Sequence, residues 1–252
     1  MTALVCGCLL DLSGCSLFVM AGKMLQGDPM VEAEFDRWNG GKSMAKSKKK
    51  VAVVCSTPES VKTEFSSLDL DLANEVSRKL HLHEITVVKS HKVASWMDDH
   101  GGTDFDMKEL GHDLGAELVV AIKIDHFDFR EENSPDLFRG KARGSMMVYE
   151  LQHDETKPKA DKSSKDSKKD ADSKKDKTGG DSKSKAKNDD EPKSKVVGVR
   201  QIYLKSFDSK YPPHQPVSIE QMQPDTFRKK FLDRVADELS RTFYRHKVGV
   251  EF

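Results

Sequence analysis

Cysteine is scarce in this sequence, and its few cysteines are unevenly placed. Only four occur among 252 residues, and three of them, Cys6, Cys8 and Cys15, lie within the first fifteen positions. Cys55 is alone in the rest of the chain, which excludes an internal disulfide there. A structural zinc site needs a second pair of ligands beside a pair such as Cys6 and Cys8. The cysteines therefore predict neither a disulfide framework nor a metal site.

Long apolar runs and catalytic motifs are missing as well. The amino-terminal apolar stretch, residues 3–12, has ten positions, half of the roughly 20 that a membrane-spanning helix needs. The sequence has no glycine-rich phosphate-binding loop and no arrangement of a nucleophile with its base. We therefore identify no catalytic residue, no metal site and no cofactor site. An enzyme of unknown type is the least favoured function.

An excess of one charge sign is also lacking, since 42 basic side chains balance 42 acidic ones. One tract, residues 152–195, concentrates lysine, aspartate and serine, and it contains no arginine, phenylalanine, tyrosine or tryptophan. A tract with so few apolar side chains cannot bury enough surface to fold, which predicts a disordered insertion. Its acidic residues alternate with the lysines, so we expect no specific binding of nucleic acid.

The residues just before Cys15 form the most informative motif near the amino terminus. Leu12, Ser13 and Gly14 precede Cys15 directly. This motif resembles the lipobox of bacterial lipoproteins, in which leucine, a small residue, and glycine or alanine precede a cysteine that is acylated. The resemblance implies a signal peptide over residues 1–14 and lipid attachment at Cys15. It also implies a protein of the cell envelope that is held on the membrane outside the cytoplasm by more than one acyl chain.

A second interpretation of the amino terminus rests on two residues. Asp11 lies inside the apolar stretch, and the first basic residue is Lys23, whereas a signal peptide begins with a basic segment and continues with an uninterrupted apolar one. The alternative is therefore a soluble cytoplasmic binding protein with a misassigned start.

Residues 15–50 show no sustained hydrophobic period and predict a tether with one short helix near residues 31–38. Packing of this segment as an arm through Phe35 and Trp38 is the alternative.

The folded part opens with residues 51–55, a β-branched apolar run that is typical of a strand buried on both faces. A helix follows, with Ser66 or Ser67 as its cap and an apolar residue at every fourth position: Leu68, Leu72, Val76 and Leu80. Residues 85–88 then predict a second strand. This order favours a parallel pair with a right-handed crossover.

Two short helices and a third strand complete the first half of the domain. The helices are predicted over residues 92–100 and 106–114, the second with Asp104 as its cap and Gly115 at its end. The third strand is continuously apolar up to Ile122. Its pattern then alternates, which predicts a strand buried at its beginning and exposed on one face near its end. The alternating buried positions are Ile124, His126 or Phe127, and Phe129.

The second half predicts a long β-hairpin and a terminal helix. Strands over residues 139–151 and 196–207 flank the lysine-rich tract, and lengthening a hairpin loop in this way costs little free energy. The terminal helix follows Pro224, with Asp225 as its cap and a long apolar stripe: Phe227, Phe231, Val235, Leu239 and Phe243 or Tyr244. Residues 51–151 and 196–252 therefore predict one small α/β domain, a mixed sheet with flanking helices, with α+β as the alternative class.

The predicted order of elements resembles the small α/β domain of several envelope lipoproteins. These are the curli secretion lipoprotein, the penicillin-binding-protein activator lipoproteins and the amino-terminal domain of the Tol–Pal translocation protein. The resemblance rests on residues 51–54, residues 114–124 and the hairpin that follows. The whole chain also resembles uncharacterised planctomycete-type lipoproteins, which implies no activity. Together these resemblances imply an interaction or assembly module with a protein partner in the envelope.

The most distinctive polar stretch is residues 129–140, which contains Glu131, Glu132, Asn133 and Arg139 around a Ser-Pro turn. A metal site or an acid–base pair would require the two carboxylates to converge. Adjacent strand residues point to opposite faces of a sheet, which argues against convergence. We therefore predict a partner-binding surface at these four residues, with a turn held by local hydrogen bonds as the structural alternative.

Overall fold

A mixed β-sheet organises the chain in the computed structural model, which describes residues 29–101, 105–153 and 196–247. The strands are β1 (Met30–Val31), β2 (Val51–Ser56), β3 (Leu118–Glu131), β4 (Ser134–His153), β5 (Val196–Tyr211), β6 (Val217–Ser218) and β7 (His246–Lys247). The helices are α1 (Glu34–Trp38), α2 (Met44–Ser47), α3 (Glu59–Glu64), α4 (Leu68–Leu82), α5 (Ser90–Asp99), α6 (Met107–Leu114) and α7 (Pro224–Arg241).

The main sheet has the strand order β2-β3-β4-β5, and β6 adds to one end of β4. Strands β2 and β3 are parallel, whereas β3, β4 and β5 form an antiparallel meander. The first five residues of β2 are all buried, because helices cover both faces of the sheet at this strand. Helices α4 and α7 lie on one face, and α5 and α6 lie on the other. This mixed sheet with flanking helices confirms the predicted α/β class.

Both predicted apolar stripes face the core. The four predicted residues of α4 are at most 1% exposed, and those of α7 together with Phe243 are equally buried. Two rings show how the α7 stripe meets the sheet: Phe231 stacks on Phe127 of β3 with centroids 5.1 Å apart, and Phe227 stacks on Phe138 of β4 at 5.3 Å. The periodicity of the sequence therefore identified the layer that covers this face of the sheet.

Residues 85–88 do not form the predicted second strand. Only Val87 makes a parallel bridge, to Val51, and two backbone hydrogen bonds support it, from Val51 N–H to the Thr86 carbonyl and from Val88 N–H to the Val51 carbonyl. Helix α5 begins at Ser90, so the segment is too short for a ladder. The parallel partner of β2 is β3, which lies more than 60 residues farther along the chain.

A β-bulge explains the change of period that the sequence shows in β3. The pairing with β4 shifts register between Ile124 and His126. One extra residue in a strand turns the following side chains to the opposite face. Ile124 and Phe127, three positions apart, are therefore buried on the same face, and Phe127 takes the buried position that the sequence assigned to either His126 or Phe127.

Part of the segment predicted as a tether belongs to the folded domain. Strand β1 pairs with β7 near the carboxyl terminus, and Phe35 N–H donates a hydrogen bond to the Thr242 carbonyl. Phe35 and Met44 are each 1% exposed, whereas Trp38 is 75% exposed. The arm interpretation therefore describes residues 30–47 better than a tether does, and Phe35 but not Trp38 anchors the arm.

Ser67 precedes α4 as one of its two predicted caps, although its side chain makes no capping hydrogen bond, whereas the amino-terminal caps of α6 and α7 differ from those predicted. Asp106 precedes α6, and its carboxylate accepts a hydrogen bond from Lys108 N–H. The predicted cap, Asp104, lies outside the described residues. Gln223 precedes α7, and Pro224 is its first residue, which places Asp225 inside the first turn. Gly115 ends α6 in the left-handed conformation, as predicted.

The predicted long hairpin is confirmed at both of its strands. Strands β4 and β5 pair antiparallel from Gly140 and Tyr211 to His153 and Val196. His153 and Val196 are register partners, so the lysine-rich tract enters and leaves the sheet at neighbouring positions. Residues 154–195 themselves lie outside the described part of the chain. Within the described residues, no helix combines the length and the hydrophobicity that crossing a bilayer requires.

Candidate functional site

The predicted site residues fall into two groups. Leu12, Ser13, Gly14 and Cys15 lie outside the described residues. Glu131, Glu132, Asn133 and Arg139 all lie at the tip of the β3–β4 hairpin. The sequence therefore identified a real cluster at this tip.

The turn of this hairpin is made by Glu132 and Asn133. Glu131 ends β3 and is the register partner of Ser134, the first residue of β4. Asn133 has φ = 61°, a left-handed conformation that asparagine tolerates well. The predicted Ser-Pro turn is wrong, because Ser134 and Pro135 belong to β4.

The charges at the tip are paired with one another. The Arg139 Nε and Glu131 Oε2 atoms are 2.9 Å apart, and the two side chains are only 16% and 20% exposed. Arg139 also donates a hydrogen bond to the His214 carbonyl. The Lys141 ammonium lies 2.8 Å from Glu132 and 3.9 Å from Glu131. The two carboxylates thus meet at one lysine, contrary to the expectation from strand alternation, because Glu132 belongs to the turn.

This pairing argues against acid–base catalysis at the tip. The hydrogen bond from Lys141 lowers the pKa of Glu132, and the same bond raises the pKa of Lys141. A general acid at neutral pH needs a raised carboxyl pKa instead. Strand β6 pairs with Leu137 and Phe138 just behind the tip. This pairing and the ion pairs together stiffen the hairpin, while Glu132 and Asn133 stay exposed.

The edge of the sheet at β5 is a larger candidate surface, which the sequence did not single out. Strand β5 has 16 residues, and among the described strands it pairs with β4 alone. Its exposed side chains are polar apart from Val197 at its start, which is 53% exposed, and Leu204 near its middle, which is 58% exposed. Leu204 is the register partner of the half-buried Met147. The β5 edge therefore presents a backbone ladder with a small apolar spot near its middle.

The opposite face of β5 is occupied by the amino-terminal arm. Tyr203 Oη donates a hydrogen bond of 2.9 Å to Glu34 Oε1, and Lys205 donates one to Glu34 Oε2. Phe35 packs edge-on against Tyr203 with centroids 5.7 Å apart. The arm thus fixes the orientation of β5 from one side and leaves Leu204 uncovered on the other.

The clefts in the described part of the chain include two beside its helices. One, of about 290 Å³, lies between α7, the arm and β5, and its lining includes the Asp237–Arg241 ion pair. The other, of about 360 Å³, lies beside β2 between α4 and α5. Its lining includes Cys55, and burial, followed by the charge of Asp69, raises the pKa of this thiol. Cys55 is therefore protonated at neutral pH and is not an activated nucleophile.

One cluster of potential metal ligands was missed by the sequence analysis. His100, Glu109 and Asp113 come together where α5 and α6 meet. The available signal was the spacing of Glu109 and Asp113, which are four positions apart and therefore share one face of a helix. His100 gave no comparable signal, because its approach depends on how the two helices pack.

Comparisons with known proteins assign no family to this chain. No family model matches it, and no curated protein matches it. The solved structures that resemble it include the hypothetical protein CT253 from Chlamydia trachomatis, which is 16% identical over 77% of this chain and 96% of that chain, with a TM-score of 0.36. Two structures of dodecameric PelC from Paraburkholderia phytofirmans follow. One is 11% identical over 49% of this chain and 70% of that chain, with a TM-score of 0.28. The other is 8% identical over 49% and 69%, with a TM-score of 0.26. At these levels of similarity the matches define no function for this chain.

Proposed function

We propose that this protein is a membrane-anchored envelope lipoprotein whose folded domain acts as an interaction module. The anchor in this proposal is lipid on Cys15, and the support for it is the motif formed by Leu12, Ser13 and Gly14. The residues between Cys15 and the arm at Met30 then connect the lipid to the domain. This arrangement presents the domain to partners near the membrane surface.

The β5 edge is the observation that carries the interaction role. An exposed strand edge binds an extended segment of a partner through backbone hydrogen bonds, with side-chain contacts adding specificity. Strand β5 is long, is held by β4 on one side, and exposes Leu204 beside Met147. The exposed Lys210 protects this edge from unselective strand pairing. The proposed partner is therefore a protein that contributes an extended segment to β5.

The lipid anchor is tested by the intact mass of the native protein extracted from membranes. We expect cleavage before Cys15 and the added mass of acyl chains. Substitution Cys15→Ser should abolish both the added mass and retention in the membrane fraction. Substitution Cys8→Ser is the matched control and should leave processing unchanged. An unprocessed, soluble wild-type chain would instead favour the cytoplasmic binding protein that Asp11 and the late first lysine suggest.

The interaction surface is tested by site-specific photo-crosslinking in intact cells. A photoreactive residue at Leu204 should yield a discrete crosslinked product with a protein partner. Leu82 at the end of α4 is the matched control, because it is 66% exposed, similar to the 58% of Leu204, and it lies away from β5. Equal crosslinking at both positions, or none at Leu204, would refute the proposed use of the β5 edge.

A further inference from the structure

Three side chains with metal-binding atoms converge where α5 ends and α6 passes beside it. His100 directly follows α5, and Glu109 and Asp113 lie on α6. One potential ligand atom from each residue lies within 4.8 Å of the other two. His100 Nε2 and Glu109 Oε1 are 3.7 Å apart. The cluster is reached from solvent, because the Glu109 side chain is 56% exposed.

The imidazole of His100 is oriented for metal binding. Its Nδ1 atom lies 2.8 Å from the Trp96 carbonyl oxygen. A carbonyl oxygen only accepts hydrogen bonds, so Nδ1 carries a proton and Nε2 is the ring nitrogen left for a metal ion, on the side that faces Glu109. The ring also stacks on Trp96, with centroids 4.0 Å apart and planes 11° apart. A hydrogen bond from the second ring nitrogen to a carbonyl is the usual support of a metal-binding histidine.

The carboxylate of Asp113 is held by the same tryptophan. Trp96 Nε1 donates a hydrogen bond of 2.9 Å to Asp113 Oδ2, and His112 Nδ1 lies 3.0 Å from Oδ1. Trp96, which is 6% exposed, therefore fixes two of the three ligand groups before any ion arrives.

We propose that His100, Glu109 and Asp113 bind a divalent first-row transition metal ion, with Zn²⁺ as the best match. One imidazole nitrogen and two carboxylate oxygens are donors that Zn²⁺ accepts, with water in the fourth position. Bonds of about 2.0–2.2 Å hold tetrahedral ligand atoms about 3.5 Å apart. The ligand atoms therefore close by at most about 1.3 Å on binding, a movement that the exposed side chain of Glu109 allows. The bound ion links α5 to α6.

Trp96 is also the reporter for the first test. The chain has two tryptophans, and Trp38→Phe leaves Trp96 alone, next to the proposed ion. Titration of the untagged full chain with Ni²⁺ should quench Trp96 fluorescence saturably with one ion per chain. Excess Zn²⁺, which does not quench, should then restore the fluorescence. Quenching that is linear and does not saturate would overturn the proposal.

Matched variants locate the site. His100→Ala should raise the Kd for Ni²⁺ by at least about tenfold. His91→Ala removes an exposed histidine of α5 that lies outside the cluster and should leave the Kd unchanged. Equal effects of the two substitutions would place the ion elsewhere and overturn the proposal.

Thermal unfolding gives a second, independent measurement. Zn²⁺ at about 100 times its Kd should raise the Tm of the full chain by about 5 °C. Glu109→Gln should fold normally, because its side chain is exposed, and should lose this rise. A rise that persists in Glu109→Gln would contradict the role of this carboxylate. The measurement does not depend on the lipid anchor or on a partner protein.

Discussion

At the scale of single residues, Glu34 shows how one side chain ties the arm to the sheet. Its carboxylate accepts hydrogen bonds from Tyr203 and Lys205 of β5. Burial alone would raise the pKa of Glu34, but these hydrogen bonds outweigh burial and lower it. Burial and the neighbouring Glu34 raise the pKa of Tyr203, so the phenol stays a donor at neutral pH. The arm is thus held by a charge-assisted network.

We expect Glu34→Gln to destabilise the protein by about 1 kcal/mol at pH 7, since hydrogen bonds to charged groups contribute about 1.5–3 kcal/mol and partial exposure reduces this. The pKa of Glu34 is lower when folded than when unfolded. Its contribution is therefore complete above the ordinary value of 4.5 and is lost as pH falls through the folded pKa. Denaturant titrations should show the difference from wild type shrinking below about pH 4.5.

The control for this prediction is Glu32→Gln. Glu32 pairs with Arg245 at 3.0 Å, but both side chains are more than 60% exposed. A surface pair of this kind contributes little, so the substitution should change stability by less than about 0.5 kcal/mol. A loss in Glu34→Gln that is independent of pH would contradict the charge-assisted network.

Side-chain burial at this scale was only partly predictable. Phe35 and Trp38 are both aromatic, and at three positions apart they share one face of an ideal helix. Helix α1 has only five residues, and the Thr242 carbonyl accepts a hydrogen bond at its start. Phe35 therefore enters the core and Trp38 stays in solvent. The sequence named both residues, and only the docking position separated them.

At the scale of elements, the amino-terminal arm is a structural part of the domain. Strand β1 pairs with β7, and Phe35 packs against Tyr203 and Phe243 with centroids 5.7 and 5.5 Å apart. The arm thereby joins the beginning of the described chain to its end. It also covers the face of β5 that carries Tyr203. The proposed partner pairs along the backbone edge of β5 and contacts Leu204 on the other face.

Substitution Phe35→Ala should cost about 3–5 kcal/mol of unfolding free energy, because it leaves a cavity among aromatic rings. Trp38→Ala is the matched control, and because Trp38 is 75% exposed it should change stability by less than about 0.5 kcal/mol. Urea unfolding of both variants measures the difference. Similar losses in the two variants would show that the arm does not dock through Phe35.

The β3–β4 pair contains a glycine that its geometry requires. Gly144 is the register partner of Ile124 at the bulge, and a Cβ atom there would lie 2.1 Å from the Lys123 carbonyl oxygen. A bulge brings backbones close together, and glycine permits that approach. The sequence predicted a strand here but gave no sign that the close backbone approach at position 144 requires glycine.

We expect Gly144→Ala to destabilise the protein by about 1–3 kcal/mol, because the strands must move apart to admit the methyl group. Gly198→Ala is the control. Its Cβ would meet the side-chain oxygen of Gln152 at 2.7 Å, and that exposed side chain can turn away. Thermal unfolding should therefore show a clear fall in Tm for the first variant and little change for the second. A neutral Gly144→Ala would contradict the close approach at the bulge.

At the scale of the whole molecule, the sheet connects two parts of the chain that the lysine-rich tract separates in sequence. His153 and Val196 are paired although 42 residues lie between them. Each doubling of loop length adds only about 0.6 kcal/mol to the cost of closure, so a loop of this length costs about 2 kcal/mol more than one of four residues. The fold therefore tolerates the tract, and β5 still forms the edge of the same sheet.

Replacement of residues 154–195 by a four-residue turn should leave the fold intact and raise stability by about 2 kcal/mol, because a shorter loop costs less entropy on closure. Far-ultraviolet circular dichroism and denaturant titration measure the two effects. A shortened chain that unfolds more easily than wild type would show that the tract contributes to the folded domain, contrary to the prediction from its composition.

The sequence by itself determined the local elements, because hydrophobic periodicity and turn residues act over a few neighbouring positions. The buried run of β2, the stripes of α4 and α7 and the extended hairpin are examples. Tertiary structure decided what depends on distant parts of the chain: β3 as the parallel partner of β2, the docking of Phe35, and the cluster of His100 with Glu109 and Asp113. The exposed edge of β5 also depends on distant parts of the chain, because strand pairing decides which strand lies at the edge of the sheet. Those arrangements are set by packing between elements, and no local pattern encodes them.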